Sequence, residues 1–236
     1  MNLNENTDFL AGQILLFNKP LYWTSFDLVK KVKNLIRNTY GYKKIKVGHS
    51  GTLDPLADGL MIICTGKKTK EINLLQNLGK EYIATIKLGE TTPSFDLETE
   101  VDKNYSYDHI TEQMLKDLLI SRTGEQEQVP PLFSAKNIEG KRAYEFARKG
   151  IEKKLEPRSV TLYELELLSF DLPYIKVRIR CSKGTYIRSF ARDIGVWLNS
   201  GAHLTALTRT FIGDFSLDKA LGIEDFENRL NNMKQN

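Results

Sequence analysis

The strongest constraint on the fold is the alternation of apolar and polar side chains, with a period of two residues, in two segments of the chain. Residues 80–88 and 174–181 each place every second side chain on one face, which is the pattern of a β-strand with one buried side. The apolar faces consist of Tyr82, Ala84, Ile86 and Leu88 in the first segment, and of Ile175, Val177, Ile179 and Cys181 in the second. Residues 160–170 closely precede the second segment, so we predict that the two pair as a hairpin.

Helical patterns are interleaved with these strands. Thr24 or Ser25 is a candidate N-cap, with Asp27 in the first turn, and Thr185 is the candidate N-cap of a later helix. The stretch 111–121 is amphipathic. Two apolar stripes are expected to be buried: Phe26, Val29, Val32, Leu35 and Ile36 in the first helix, and Ile187, Phe190, Ala191, Ile194 and Trp197 in the last.

The remaining segments complete an α+β pattern. Residues 60–65 are predicted to be a strand and residues 67–78 a helix, while residues 125–158 are rich in turn formers and predict a short strand, a short helix and a mobile excursion. Because hairpin-like strand pairs outnumber βαβ units, we predict a mixed, mostly antiparallel sheet flanked by helices and loops. We expect one domain to span residues 1–236.

Basic residues are clustered more strongly than the formal net charge of +4 indicates. The runs are KKVK at 30–33, KKIK at 43–46, GKKTK at 66–70 and IKVRIRCSK at 175–183. Such clusters can line a phosphate-binding surface, or they can simply keep the surface soluble. Charge alone leaves both interpretations open.

The sequence predicts an intracellular, cytoplasmic protein. Its apolar runs are too short to cross a bilayer, and the first residues do not have the pattern of a signal peptide. Cys64 and Cys181 belong to no metal or redox motif. We expect no membrane association.

Several familiar chemistries do not fit the motifs. GKKT at 66–69 is not a phosphate-binding P-loop, because Met61 stands where the motif needs glycine and Lys68 where it needs Ser or Thr. The three histidines are dispersed without metal-ligand spacing. A glycosidase would need a second cooperating acid, and Asp58, four residues after Asp54, is more simply a solvated acid of the same turn. We therefore expect no cofactor and no metal.

The segment GHSGTLDPLADGL at 48–60 is the best candidate for a site, and Asp54 lies at its centre. An aspartate before proline commonly caps a turn or a helix, so a purely structural role is the ordinary interpretation. Tyr82, Tyr186 and Arg188 are candidate site residues with equally ordinary alternatives as core or surface side chains. None of these residues identifies a function by itself.

Six motifs taken together resemble the TruB family, the tRNA pseudouridine synthases that modify the T-loop uridine. The central motif is KVGHSGTLDPLADGLMIICTGKKTK, preceded by NKPLYWTS, which varies at Leu21 and Tyr22 around the family's KPxGxTS. The others are KEYIATIKLGETTPSFD, VPPLFSAKNIEGKRAYEFARKG, CSKGTYIRSFARDIG and GAHLTALTRTFIG. The resemblance covers nearly the whole chain and implies the pseudouridine synthase fold, with a central RNA-binding cleft.

The resemblance also implies roles for individual residues. The catalytic group would be Asp54, Tyr82 and Arg188, with the arginine pairing with the aspartate and the tyrosine packing on the target base. The substrate-binding group would be His49, Tyr186, Leu207, Lys19 and Pro20. Residues 125–158 would be the family's RNA-contacting excursion. The expected partner is the T-stem-loop of tRNA, bound by a monomer.

Some points stay open at this stage. Asp54 can serve as a nucleophile or as a base towards the ribose. Asp58 stands where the family usually has a small residue, and its effect is not evident from the sequence. Many relatives continue into a C-terminal PUA-type domain, whereas no separate domain of this kind is expected here. The rival functions are a tRNA-folding chaperone without essential catalysis and a carboxylate glycosidase.

Overall fold

The computed structural model describes residues 7–134, 137–138, 140–142, 145–146, 151, 153 and 155–235. The chain divides into two compact units, with boundaries between Tyr82 and Ile83 and between Leu207 and Thr208. The first unit contains the two ends of the chain, and the second contains its middle. Among the described residues, no helix has the length and apolar composition needed to cross a membrane.

The strands, in chain order, are β1 Ile14–Lys19, β2 Val47–His49, β3 Ala57–Thr65, β4 Lys80–Leu88, β5 Glu90–Thr91, β6 Lys103–Asn104, β7 Gly124–Gln128, β8 Asn137–Ile138, β9 Lys141–Arg142, β10 Arg158–Asp171, β11 Tyr174–Cys181, β12 Ala202–Ile212 and β13 Phe215–Ser216. The α-helices are α1 Ser25–Tyr40, α2 Ile72–Gln76, α3 Glu112–Ser121, α4 Ile187–Trp197 and α5 Ile223–Gln235. Two 3₁₀ helices cover Gly66–Glu71 and Leu217–Lys219. The α+β class predicted from the sequence is confirmed.

Strand β3 is the centre of the first unit. It pairs antiparallel with β1, from Ile14 opposite Cys64 to Lys19 opposite Gly59, and with β2, where Val47 lies opposite Thr65. Its run ADGLMIICT is buried at every position except Asp58, which is half-buried. A strand covered on both faces needs such a continuous apolar run rather than alternation.

Helix α1 begins where the sequence places its cap. Thr24 accepts a hydrogen bond from the N–H of Asp27, and the Asp27 carboxylate accepts one from the N–H of Thr24, which together form a capping box. Val29, Val32 and Ile36 of the predicted stripe are buried. Phe26 is not, because its side chain is 70% exposed.

The second unit is built on the β10–β11 hairpin. The two strands pair antiparallel from Leu162 opposite Cys181 to Asp171 opposite Tyr174, and β7 pairs with the start of β10. The apolar face of β11 is buried, while Arg178 on its other face contacts two acidic residues of β10.

Strand β4 has the predicted bounds, and all four residues of its predicted apolar face are buried.

Several predicted boundaries are wrong. Strand β3 begins at Ala57, three residues before the predicted start, and the predicted helix over 67–78 is a 3₁₀ helix followed by the short α2. Thr185 does not cap α4, because its hydroxyl donates to the carbonyl of Ser182 in the preceding turn. Within 125–158 the structure shows β7 and the short β8–β9 pair, and part of this predicted excursion lies outside the described residues.

Strands β3 and β12 approach each other closely at Gly59. Its φ is +104°, and a Cβ atom there would lie 2.4 Å from the carbonyl oxygen of Arg209 and 2.7 Å from its nitrogen. Only glycine can adopt this conformation without strain and leave room for the neighbouring backbone. Gly41, which ends α1 with φ +67°, has nothing within 4 Å of the same position.

These two glycines make a matched pair for a stability test. We expect Gly59→Ala to lower the free energy of unfolding by about 2–5 kcal/mol, because backbone strain adds to the steric clash. Gly41→Ala should cost only about 1 kcal/mol, from left-handed strain alone. Urea unfolding of the two variants measures the difference, and equal losses would contradict the close approach of β3 and β12.

Candidate active site

The loop that carries Asp54 is held by the start of α1. The Ser25 hydroxyl donates to the carbonyl of Leu53 at 2.9 Å and accepts from the N–H of the same residue at 2.8 Å. The N–H of Tyr22 donates to the carbonyl of Pro55 at 2.7 Å. Both residues that flank Asp54 in the chain are therefore bonded to the KPLYWTS segment, which fixes the backbone on either side of Asp54.

Arg209 of β12 holds the same loop from the other side. Its guanidinium donates to the carbonyl of Leu60 at 2.7 Å, to that of Thr52 at 3.4 Å and to that of Gly51 at 3.3 Å. The side chain is only 1% exposed, so its planar fork is held in one orientation. Arg209 was not predicted as a site residue, although it lies in the GAHLTALTRTFIG motif.

Asp54 is half-buried and does not begin a helix. The N–H of Ala57 donates to its carbonyl at 3.1 Å, which closes a turn over Pro55 and Leu56, and β3 follows at once. The helix-cap interpretation is therefore wrong, and the turn interpretation is confirmed. The turn leaves the Asp54 carboxylate on a short and well-anchored connection between the loop and β3.

Lys19 is a buried cation of the first unit that interacts electrostatically with Asp54. Its side chain is fully buried, and Nζ donates to the carbonyls of Pro20 at 2.8 Å and Trp23 at 2.7 Å. Burial lowers the pKa of Lys19 to about 8, against the attraction of Asp58 and, more weakly, of Asp54. Lys19 and Pro20, both predicted as substrate-binding residues, are thus joined by a hydrogen bond where β1 ends, and their role at the site stays a prediction.

Asp58 has an electrostatic role in this arrangement. It is the strongest of the acidic influences that favour the charged form of Lys19, and its Oδ1 is buried without a hydrogen-bond partner among the described residues. Strand pairing places Lys19 opposite Gly59, next to Asp58. The second acid of the motif therefore balances a buried ammonium group, rather than being the solvated turn residue that the sequence predicts.

His49 ends β2 and faces the start of the loop. Its Nδ1 accepts a hydrogen bond from the N–H of Gly51 at 3.2 Å, so the neutral ring carries its proton on Nε2. Burial lowers the pKa of His49, which favours this neutral form at pH 7. A neutral ring with Nε2–H can donate one hydrogen bond to an oxygen of a ligand.

Tyr82 lies on the buried face of β4 and is 8% exposed. Tyr82 is the last residue of β4 that belongs to the first unit. Asp54, Lys19, Pro20 and His49 lie in the same unit.

Arg188 belongs to the second unit, at the start of α4. Its Nε lies 3.6 Å from Oδ2 of Asp96, and both side chains are nearly inaccessible. Its Nη1 donates to the carbonyl of Ser94 at 3.4 Å. Asp96 also accepts from the N–H of Glu98 at 2.9 Å, so the TTPSFD turn orients the arginine. Asp96 was not predicted as a site residue, although this turn is part of a motif that resembles the family.

Tyr186 and Leu207 also lie in the second unit. The backbone of Tyr186 is bonded twice to the Gln128 side chain, at 2.8 and 3.1 Å, and the Arg158 guanidinium stacks 4.4 Å from the tyrosine ring. Leu207 is buried in β12. The predicted site residues thus form one group in each unit, and the predicted pairing of Arg188 with Asp54 stays a prediction.

Tyr22 replaces the glycine of the KPxGxTS pattern and keeps a backbone that suits glycine. Its φ is +66°, a conformation that costs a side-chain-bearing residue roughly 1–2 kcal/mol. The ring is 74% exposed, so its packing does not offset this strain. The bond from its N–H to Pro55 explains why the backbone keeps this conformation.

The burial of Lys19 predicts how the stability of the fold depends on pH. The pKa of Lys19 is about 8 in the folded chain, against an ordinary value of 10.5. Between pH 8 and pH 10.5, Lys19 is therefore mostly protonated in the unfolded chain and mostly neutral in the folded chain. The contribution of Lys19 to stability should therefore rise with pH across this window, by at most about 1.4 kcal/mol per pH unit. The difference in unfolding free energy between wild type and Lys19→Met, measured at several pH values, isolates this effect. A difference that stays constant from pH 8 to 10.5 contradicts it.

Comparisons with known proteins show the family of this chain. Residues 37–187 match the family model of the TruB family pseudouridylate synthase, N-terminal domain. The chain is 57% identical to tRNA pseudouridine synthase B of Parabacteroides distasonis over 94% of this chain and 95% of that protein. It is 50% identical to the protein of the same name from Flavobacterium johnsoniae, over 94% and 98% of the two chains.

A solved structure shares the fold. A chain of a Cbf5–Nop10–Gar1 complex superimposes with a TM-score of 0.70 at 26% identity, and the match covers 93% of this chain and 54% of that one. The family model alone spans more than half of this sequence and includes Asp54 and Tyr82. The chain therefore belongs to the TruB family of pseudouridylate synthases.

Proposed function

We propose that this chain converts a T-loop uridine of tRNA to pseudouridine, acting as a monomer in the cytoplasm. The observation that carries the proposal is the loop of Asp54, whose backbone is anchored by α1 and by Arg209 and whose aspartate interacts electrostatically with the buried Lys19. The relatives that share half or more of its residues are named tRNA pseudouridine synthases, which supports tRNA as the substrate.

The reaction is an isomerisation and needs no redox partner. The bond between N1 of the uracil and C1′ of the ribose breaks, the base turns, and C5 forms the new bond to C1′. The proton on C5 leaves, and N1 gains one, so atoms and charge balance. Asp54 supplies a carboxylate that either attacks the sugar as a nucleophile or removes a proton from it as a base.

Tyr82 and Arg188 are proposed to complete the catalytic group. A T-loop uridine is stacked in the RNA and must be flipped out before the enzyme can reach it. Tyr82 then packs against the base, a kind of contact worth about 1–3 kcal/mol in other nucleic-acid binders, and its hydroxyl assists the removal of the C5 proton. Arg188, oriented by Asp96, pairs with the Asp54 carboxylate and favours its charged form.

The other predicted residues are proposed to bind the RNA or to shape the pocket. His49 offers a neutral Nε2–H to the T-loop, while Tyr186 and Leu207 are further walls of the uridine pocket. Lys19 and Pro20 support the catalytic loop. Residues 125–158 are proposed to contact the RNA, and residues 1–236 to act together as one catalytic domain.

Replacing the central carboxylate tests the proposal most directly. We expect Asp54→Asn to reduce pseudouridine formation on unmodified tRNA by roughly 10³-fold or more, because the amide is neither a nucleophile nor a base. Binding of tRNA should persist. Asp171→Asn, which changes an exposed carboxylate in the β10–β11 turn, is the matched control and should retain full activity.

Mapping of pseudouridine along the product tRNA measures both the amount and the position. Normal turnover by Asp54→Asn would exclude the proposed mechanism, whereas modification outside the T-loop by the wild type would exclude the proposed substrate position. Wild-type binding without modification would favour a tRNA-folding chaperone instead.

The tyrosine hydroxyl is tested separately from its ring. We expect Tyr82→Phe to bind tRNA as the wild type does, because the ring can still stack on the base. Its turnover should fall by about 10²–10⁴-fold, the usual contribution of a positioned acid or base. Single-turnover kinetics beside equilibrium binding separates the two effects, and full activity of the variant removes the hydroxyl from the mechanism.

A further inference from the structure

Tyr22 combines a strained backbone with an exposed aromatic ring. Its φ is +66° and 74% of its side chain is exposed, so burial of the ring does not offset the strain. In the described part of the chain, the other non-glycine residues with positive φ are Phe95 and Asn199. Asparagine tolerates this conformation, and the Phe95 ring lies 4.8 Å from the Arg192 guanidinium. The strain at Tyr22 has no such explanation within the fold, which points to a function.

Tyr22 lies beside the turn that carries Asp54. Its N–H donates to the carbonyl of Pro55 at 2.7 Å. Standard backbone dimensions then place the Cα atoms of Tyr22 and Asp54 within about 11 Å of each other. Ser25, three residues later, is bonded to Leu53 on the other side of Asp54. A side chain at position 22 is therefore within reach of the nucleotides that flank a uridine bound at Asp54.

The Tyr22 ring lines a cleft beside α1 that has room for a nucleobase. The cleft has a volume of about 470 Å³, within the usual range for sites that bind small organic groups. Its lining residues are Tyr22, Trp23, Asp27, Lys30, Lys31 and Asn34. The last four follow helical spacing along one face of α1, so the two aromatic residues form one end of the cleft.

The charges of this cleft are mixed. It includes the Asp27 carboxylate, and Lys31 pairs with Glu227 at 2.9 Å. A carboxylate in the cleft repels a phosphate, whereas a nucleobase is uncharged and offers a π face that stacks on tyrosine. The lining therefore favours an aromatic ring over a phosphate as the ligand.

We propose that the Tyr22 ring stacks on a base of the substrate RNA next to the target uridine. The inference rests on the proposed function, because it takes the T-loop as the substrate. It assigns a binding role to a position where the KPxGxTS pattern has glycine. When a uridine is flipped out, its neighbours lose a stacking partner, and an exposed tyrosine beside the site can replace it. The strained φ is then retained for binding and not for folding.

The experiment compares three variants with the wild type. Tyr22→Gly removes the ring and restores the glycine of the pattern, while Tyr22→Phe keeps the ring. Phe26→Ala is the matched control, because it removes a ring that is 70% exposed, belongs to the same helix and does not line the cleft. Each protein is tested with an unmodified T-stem-loop hairpin. Dissociation constants over a series of salt concentrations, pseudouridine formation and urea unfolding are measured.

We expect Tyr22→Gly to bind the hairpin roughly 5–150-fold more weakly, which corresponds to the loss of one stacked base. Its log–log salt dependence should match that of the wild type, because no phosphate contact is lost. Tyr22→Phe and Phe26→Ala should bind as the wild type does. The urea midpoint of Tyr22→Gly should equal or exceed that of the wild type, since glycine adopts this φ without strain.

A fluorescent base reports the contact directly. Hairpins that carry 2-aminopurine at single loop positions show by fluorescence whether that base is stacked. We expect one position beside the target uridine to be brighter in the complex with Tyr22→Gly than in the wild-type complex, and unchanged in the complex with Phe26→Ala.

Four outcomes overturn the proposal. These are wild-type affinity of Tyr22→Gly, an equal loss by Tyr22→Phe, an equal loss by Phe26→Ala, and a loss that comes with a smaller salt dependence. Self-association of the wild type that Tyr22→Gly abolishes, with unchanged affinity for the hairpin, would assign the ring to a contact between copies of this chain instead. Absence of pseudouridine in the wild-type reaction would refute the proposed function, while the affinities would still decide whether Tyr22 contacts the RNA.

Discussion

The hydrogen bonds of Arg209 are the interaction on which the rest of the candidate site depends. One buried guanidinium joins β12 to the carbonyls of Gly51, Thr52 and Leu60, which bracket the Asp54 turn on both sides. Bonds from a charged donor are individually stronger than neutral ones, about 1.5–3 kcal/mol each when well formed. Their planar geometry also restricts direction, so the loop has one position and not several. Gly59 permits this arrangement, because any side chain there would displace Arg209.

Electrostatics forms a second level of organisation around the same loop. Lys19 is buried against two backbone carbonyls and attracts both Asp58 and Asp54, although burial lowers its pKa. Its positive charge and the Asp58 carboxylate offset each other within the first unit. In the second unit, Arg188 is oriented by Asp96 in a similar way. Each of these two cations is thus fixed in the structure by neighbouring residues of its own unit.

Sequence patterns predicted the regular elements well and their junctions poorly. The alternation in β4 and β11 led to the correct strands, because side-chain direction in a strand follows sequence parity. The N-cap of α1 was also correct, since Thr24 and Asp27 form their capping box locally. Thr185 failed as a cap because its hydroxyl found a partner in the preceding turn, and Phe26 failed as a core residue because its side chain points to solvent. These outcomes depend on competing contacts that no local pattern encodes.

By itself, the sequence determined the α+β class, the strand faces and the membership in a family, and it made Asp54 the candidate for the central carboxylate. Each of these depends on local periodicity or on a motif that is contiguous in the chain. Only the tertiary structure decided the roles of Arg209, Asp96 and Asp58, and it alone brought the basic runs at 30–33, 43–46 and 66–70 into one cleft. The physical reason is that burial, counter-charge and hydrogen-bond partners are properties of residues distant in sequence, which become neighbours only after the chain has folded.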